Sequence, residues 1–172
     1  QSLAIVEKIG NKQIITSNLS NLASMFMNQG NFDKAITYLK RSLKIAKEAG
    51  NNWVISFIIT NITEALAYKG DAERAQRYLE QLEEINDKEE NKIIDLLYRY
   101  TKAIILKTSP RIHNRAKAEE LFKQIVQEET IQGETTINAL LNLYELLLDE
   151  LRITNETDVL NEIENNMNQY IN

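Results

Sequence analysis

The chain has 172 residues, of which 43% are hydrophobic and 26% charged, and its formal net charge is -5. It contains no Cys and a single His, His113, which excludes disulfides, thiolate metal sites and multi-histidine metal sites. The negative charge disfavours general binding to nucleic acid, which depends on Lys and Arg meeting phosphates. We expect no cofactor.

Few residues in the chain break regular structure. One Pro and five Gly leave room for long helices and favour an all-α fold. No apolar run reaches the roughly 18 residues that span a bilayer, and the N-terminus lacks the pattern of a signal peptide. We therefore expect no membrane segment and a cytoplasmic location.

Because the sequence starts with Gln1, inside a predicted helix, we also expect it to be a fragment of a longer protein.

A repeated pattern organises the chain. The stretch NQGNFDKAITYLKRSLKIAKEAGN at 28–51 returns as YKGDAERAQRYLEQLEEINDKEEN at 68–91. Among the positions shared by the two stretches are Gly30/Gly70, Ala35/Ala75, Tyr38/Tyr78, Leu39/Leu79 and Ile45/Ile85. A fixed period of about 40 residues is typical of a solenoid, in which each unit is one supersecondary element.

The first unit, 12–49, predicts a pair of helices. Its first helix carries an apolar stripe at spacings of three and four, formed by Ile15, Leu19, Leu22, Ala23 and Phe26. Gly30 then provides a left-handed turn position, and Asn31 caps the next helix. The second helix repeats the stripe with Ala35, Leu39, Leu43 and Ala46. Because the turn is short, the two helices must lie antiparallel.

The same reasoning divides the rest of the chain. Residues 52–87 predict a second hairpin, residues 91–129 a third with a longer turn, and residues 134–171 a fourth. Residues 1–9 predict the tail of a preceding helix. The sequence thus predicts a single solenoid domain over 1–172, an α-α superhelix of antiparallel hairpins.

In this pattern the chain resembles the tetratricopeptide-repeat family, in a long-period form like that of prokaryotic regulators. The residues that fill the family pattern in the first unit are Leu19, Leu22, Ala23, Phe26, Gly30, Ala35, Leu39 and Ser42. Two features depart from it. Leu19 and Ile59 replace a common aromatic residue, and Lys47 and Asp87 replace a terminal Pro.

The resemblance implies a function in protein interaction. In proteins of this family the first helix of each hairpin forms a concave wall. By resemblance, this wall is expected to hold a peptide or helix of a partner, and no enzymatic activity is expected. The groove residues that the resemblance implies are Asn21, Asn28, Asn61, Glu64, Tyr68, Arg99, Lys102 and Asn142. Asn21, Asn61 and Asn142 fall at equivalent places, and their amides both donate and accept hydrogen bonds. The alternative is that these Asn side chains are simply solvated.

Other interpretations stay open at this stage. The chain is alternatively a ligand- or peptide-sensing regulatory domain of a larger signalling or transcription protein. Self-association through exposed apolar ends of the terminal hairpins is a further option. The third turn, 107–117, is rich in basic residues and offers a site for an anion, or is a solvated turn.

Overall fold

The computed structural model describes residues 2–128, 133–154, 160, 161 and 163. Within these residues the secondary structure is α-helical and no strand is present. The helices are α1 (Ser2–Asn28), α2 (Phe32–Ala49), α3 (Asn52–Lys69), α4 (Ala72–Asn86), α5 (Lys92–Lys107), α6 (Ile112–Gln127) and α7 (Glu134–Thr154). The prediction of an all-α repeat fold is confirmed.

The turns between helices form as the glycines and caps predict. Gly70 has a φ of 83°, a left-handed conformation that has a higher free energy for residues with a Cβ atom than for Gly. Its N–H donates to the carbonyl of Ala67 at 3.0 Å, and the N–H of Asp71 donates to Leu66 at 2.9 Å. The Asp71 carboxylate then accepts from the N–H of Arg74 at 3.2 Å and caps α4. Backbone groups at the end of α3 and at the start of α4 therefore have hydrogen-bond partners.

Helices α1 and α2 pack as one hairpin, as do α3 with α4 and α5 with α6. Ala23 and Ala35 are almost completely buried where α1 meets α2, and the hydroxyl of Ser42 donates to the carbonyl of Thr16 at 3.1 Å. Small side chains at this interface allow a close approach, because a bulky residue would separate the backbones. The second helix expected at 155–171 lies almost entirely outside the described residues.

Two details differ from the sequence expectation. The break expected after residues 1–9 is absent, because α1 continues from Ser2 through Gly10 to Asn28. Helix propagation needs no break there, since Gly within a helix costs only about 1 kcal/mol.

Ile15 and Leu22 were expected in the core stripe, but they are 46% and 41% exposed. The stripe of α1 is thus rotated toward Thr16, which is buried.

Helix α3 lies at the centre of the packing. It contacts α2, α4 and α5, while α7 contacts α5 and α6. A buried hydrogen bond of 3.0 Å joins the hydroxyls of Thr101 and Thr60 between α5 and α3. In the part of the chain that the structure describes, no helix is both long and apolar enough to cross a membrane.

Candidate functional site

One face of α3 stays open although the rest of the helix is buried. Its neighbours α2, α4 and α5 cover the other sides. The open face consists of residues spaced by four, four, three and four positions, namely Trp53, Phe57, Asn61, Glu64 and Tyr68. Trp53 is 48% and Tyr68 40% exposed, and the other three are partly buried. We call these five residues the α3 stripe.

The N-terminal end of the α3 stripe borders a pocket between α1 and α3. The pocket has a volume of about 540 Å³. Trp53 and Phe57 stack at its edge with ring centroids 6.3 Å apart and an interplanar angle of 20°. The lining residues of the pocket are Lys12, Gln13, Thr16, Ser17, Ser20, Asn21, Ala46, Ala49, Asn51, Trp53, Val54, Phe57 and Ile58. A pocket of this size with mixed apolar and amide walls suits a ligand side chain.

The C-terminal end of the α3 stripe is closed by a polar cluster. The Tyr68 hydroxyl donates to Asn142 Oδ1 at 3.1 Å, and Lys107 Nζ donates to the same oxygen at 2.6 Å. Asn142 Nδ2 donates to the carbonyl of Asn138 at 2.7 Å. Lys107 also forms an ion pair with Glu145. The cluster therefore joins α3, α5 and α7.

Glu64 and Tyr100 extend this cluster inward. The Tyr100 hydroxyl donates to Glu64 Oε1 at 3.1 Å. Burial raises the pKa of Glu64, while the hydrogen bond from Tyr100 and the charge of Lys107 act in the opposite direction. Burial also raises the pKa of Tyr68 and of Tyr100, and the Glu64 carboxylate adds to both effects. Both phenols therefore remain protonated donors at neutral pH.

The structure separates the sequence-predicted residues into groups. Asn21 is exposed and lines the pocket, whereas Asn61 lies on the α3 stripe four residues after Phe57 and outside the pocket lining. Glu64, Tyr68 and Asn142 meet in the polar cluster. Asn142 is only 6% exposed and its amide is fully engaged, so the expected ladder of three open amides is reduced to two.

Arg99 and Lys102 do not share the wall that the sequence predicted for them. Arg99 forms two hydrogen bonds with Glu128, of 2.7 and 2.8 Å, at the end of α6. Lys102 lies over the ring of Tyr98 at 5.4 Å from its centroid. At 3.6 residues per helical turn, Lys102 points about 160° away from Tyr100. Asn28, the last residue of α1, is exposed and lies outside the pocket lining.

Two basic residues of the third turn form ion pairs with α7. Lys107 belongs to the polar cluster, and Arg115 pairs with Asp149 of α7 at 2.8 Å. Arg111 precedes α6 without a side-chain capping hydrogen bond. Arg111, His113 and Lys117 remain exposed, so only part of the basic turn stays open to solvent.

Sequence reasoning missed Trp53 and Tyr100. Trp53 stands four residues before Phe57, and this spacing was a usable signal for a shared helix face. Tyr100 gave no comparable signal, because its role depends on the approach of α3 and α7 to α5. Within the described residues, no group of three or more His, Asp or Glu side chains is placed to hold a metal ion.

The fold and the open helix face define a class of helical-repeat proteins built from stacked antiparallel hairpins. Residues 14–88 match the family model for the tetratricopeptide repeat. Among solved structures, a TPR-like protein from Chlorobium tepidum is similar, with a TM-score of 0.53 and 16% identity over 81% of this chain and 98% of the other. No curated protein sequence matches the chain. Residues 14–88 are thus similar to tetratricopeptide repeats, which generally mediate protein–protein interaction.

Proposed function

We propose that the chain binds a segment of another protein along the N-terminal part of the α3 stripe, from Trp53 to Asn61. A bulky apolar side chain of that segment occupies the pocket between α1 and α3, against Trp53 and Phe57. The observation that carries the proposal is the stacked pair of aromatic residues at the edge of a pocket of about 540 Å³, on the open face of an otherwise buried helix. Aromatic anchors of this kind supply much of the energy at protein interfaces.

One amide, Asn21, lines the pocket, and a second, Asn61, lies outside the lining, four residues after Phe57 on α3. Asn21 belongs to α1 and Asn61 to α3, and they occupy equivalent positions one repeat apart. Each amide offers both a donor and an acceptor, which matches the N–H and C=O of a peptide backbone. Contacts to the backbone tolerate many sequences, whereas the pocket selects for one apolar residue. The segment therefore requires an apolar anchor in a largely unrestricted sequence.

The position of the polar cluster limits where the segment lies. Tyr68 and Asn142 form a hydrogen bond, so α7 already contacts the C-terminal end of the α3 stripe. The proposed site thus comprises Asn21, Trp53, Phe57 and Asn61, and excludes Arg99, Lys102 and Asn28. This is a smaller site than the groove expected from the resemblance.

A display library of random peptides, selected against the chain, tests the proposal. Binding of the selected peptides is then measured by isothermal titration calorimetry. We expect Phe57→Glu to abolish binding and Asn61→Ala to weaken it about tenfold, since a lost hydrogen bond costs about 1 kcal/mol or somewhat more. Asn18→Ala is the matched control, because Asn18 is exposed on α1 and does not line the pocket. Equal affinity for all four proteins would refute the proposed site.

The regulatory alternative draws on one further observation. The α3 stripe ends in a hydrogen bond between Tyr68 of the second hairpin and Asn142 on α7. A ligand that moves α3 therefore changes the contacts of α7, which gives a route from binding to conformation. Hydrogen exchange of α7 with and without a selected peptide tests this option. Unchanged hydrogen exchange in α7 would contradict the regulatory alternative and favour a simple binding scaffold.

A further inference from the structure

A row of exposed lysines lies on the outer side of α2. The row consists of Lys40, Lys44 and Lys47, spaced by four and three residues, and we call it the basic ridge. With Leu43 and Tyr78 it borders an open groove of about 560 Å³ between α2 and α4. Among the described residues no acidic side chain pairs with the basic ridge, although Glu48 in the same groove pairs with Lys12.

A row of opposite charge occupies the same positions one repeat later. This acidic ridge consists of Glu80, Glu84 and Asp87, each of them 40 residues after its lysine counterpart. All three acids are exposed, and in the described part of the chain they form no ion pair. Glu80 and Glu84 lie on α4, and Asp87 is its C-cap residue with helical backbone angles, so both rows have the same spacing and lie on the same side of α2 and α4.

The direction of the helices makes the two ridges self-complementary. Helices α2 and α4 each follow an antiparallel partner through a short turn, so they run in the same direction. A two-fold axis parallel to both helices places the basic ridge of one copy against the acidic ridge of the other. The same axis forms the reverse contact as well, so each ion pair occurs twice in a closed dimer.

We infer that the chain self-associates as a two-fold dimer in which the basic ridge of each copy binds the acidic ridge of the other. A second copy explains the ridge better than nucleic acid does, because the chain carries the complementary charges at matching spacing. The groove also contains Leu43 and Tyr78, and a phosphate backbone has no apolar group that would pack against them. The interface uses α2 and α4 and leaves the α3 stripe free for a partner.

The strength of this interface is limited by its exposure. Ion pairs in contact with solvent each contribute little, and salt screens them. The Debye length falls from about 10 Å at 0.1 M salt to about 3 Å at 1 M. Association is therefore concentration-dependent and weak, and we expect its dissociation constant to rise at least tenfold between about 0.05 and about 0.5 M NaCl.

Sedimentation equilibrium of the purified chain at several concentrations and at both salt levels tests the inference. We expect a monomer–dimer equilibrium at low salt. Reversal of the basic ridge to Glu (K40E/K44E/K47E) gives a monomer, and so does reversal of the acidic ridge to Lys (E80K/E84K/D87K). A mixture of the two variants regains the dimer, because each now carries the charge that the other needs. Circular dichroism verifies that both variants are folded.

A matched control separates the ridge from net charge. The triple variant K92E/R111E/K117E changes the net charge by the same amount at exposed positions on or next to α5 and α6, and we expect it to dimerise like the parent chain. A monomer at low salt, a dimer that survives either reversal, or a mixture that stays monomeric would overturn the inference. Binding of a polyglutamate peptide to the basic ridge of a monomer would overturn it too, since the ridge would then serve another partner.

Discussion

The Tyr68 hydroxyl donates a hydrogen bond of 3.1 Å to Asn142 Oδ1, across 74 positions of sequence. Lys107 donates to the same oxygen at 2.6 Å. One amide of α7 thus receives donors from α3 and α5, and the three helices are held together by a polar contact rather than by apolar packing alone. Loss of this buried amide removes the hydrogen bonds from Tyr68 and Lys107, although Lys107 keeps its ion pair with Glu145.

Asn142→Leu should therefore destabilise the chain by about 1–2 kcal/mol, because it removes the hydrogen bonds that join α7 to Tyr68 and Lys107. Urea unfolding measures the change in free energy. Tyr68→Phe removes one hydroxyl and keeps the ring, so its cost should be smaller. A stability equal to that of the parent chain in Asn142→Leu would show that the cluster contributes nothing to the fold.

The raised pKa of Glu64 predicts a pH dependence of stability. Because the pKa is raised above its ordinary value of 4.5, the folded state binds the proton more tightly than the unfolded state does. The stabilisation is complete below the unfolded pKa and is lost as the pH rises through the folded pKa. Relative to Glu64→Gln, which cannot ionise, the parent chain should thus lose stability as the pH rises above about 4.5.

Urea unfolding of the two proteins across this pH range makes the comparison. Tyr100→Phe removes the hydrogen bond that favours the Glu64 carboxylate, so the total loss of stability with rising pH should become larger in that variant. A parent chain that gains stability over Glu64→Gln as the pH rises would contradict the proposed cause.

Ala35 is completely buried between α1 and α2. Ala35→Glu should cost several kcal/mol, roughly 3 or more, because it overpacks the interface and buries a charge. Ala116→Glu is the control, since Ala116 is exposed on α6. Thermal unfolding followed by circular dichroism should show a large drop in melting temperature for the first variant and little change for the second. Equal melting temperatures would mean that α1 does not pack on α2 at Ala35.

Gly70 has a positive φ of 83°, and a Cβ atom added to it would meet no atom of the described residues within 4 Å. Backbone strain is therefore what opposes a substitution there. Gly70→Ala should destabilise the chain by about 1 kcal/mol. Gly70→Asn should cost less, because Asn tolerates the left-handed region. Urea unfolding ranks the three proteins, and Ala and Asn variants of equal stability would indicate that the turn relaxes to another conformation.

Much of the fold was predictable because its causes are local. Gly30 and Gly70 close turns, and the apolar spacing around Leu39 sets the face of α2. Gly10 has the same repeat position as Gly50, yet α1 continues through it, since a repeat position alone does not fix the backbone. Features that depend on distant approach were not predictable. The burial of Asn142 and the pairing of Arg99 with Glu128 both require the relative placement of helices far apart in sequence.

The central claim is that the pocket between α1 and α3 receives an apolar side chain of a partner segment. Trp53 is the only Trp of the chain and stands at the edge of this pocket, so its fluorescence reports on the site directly. Titration of the chain with a selected peptide should shift the emission of Trp53 to shorter wavelength, and replacement of the peptide's apolar anchor by Ala should remove the shift. Binding by calorimetry with unchanged Trp53 emission would contradict the claim.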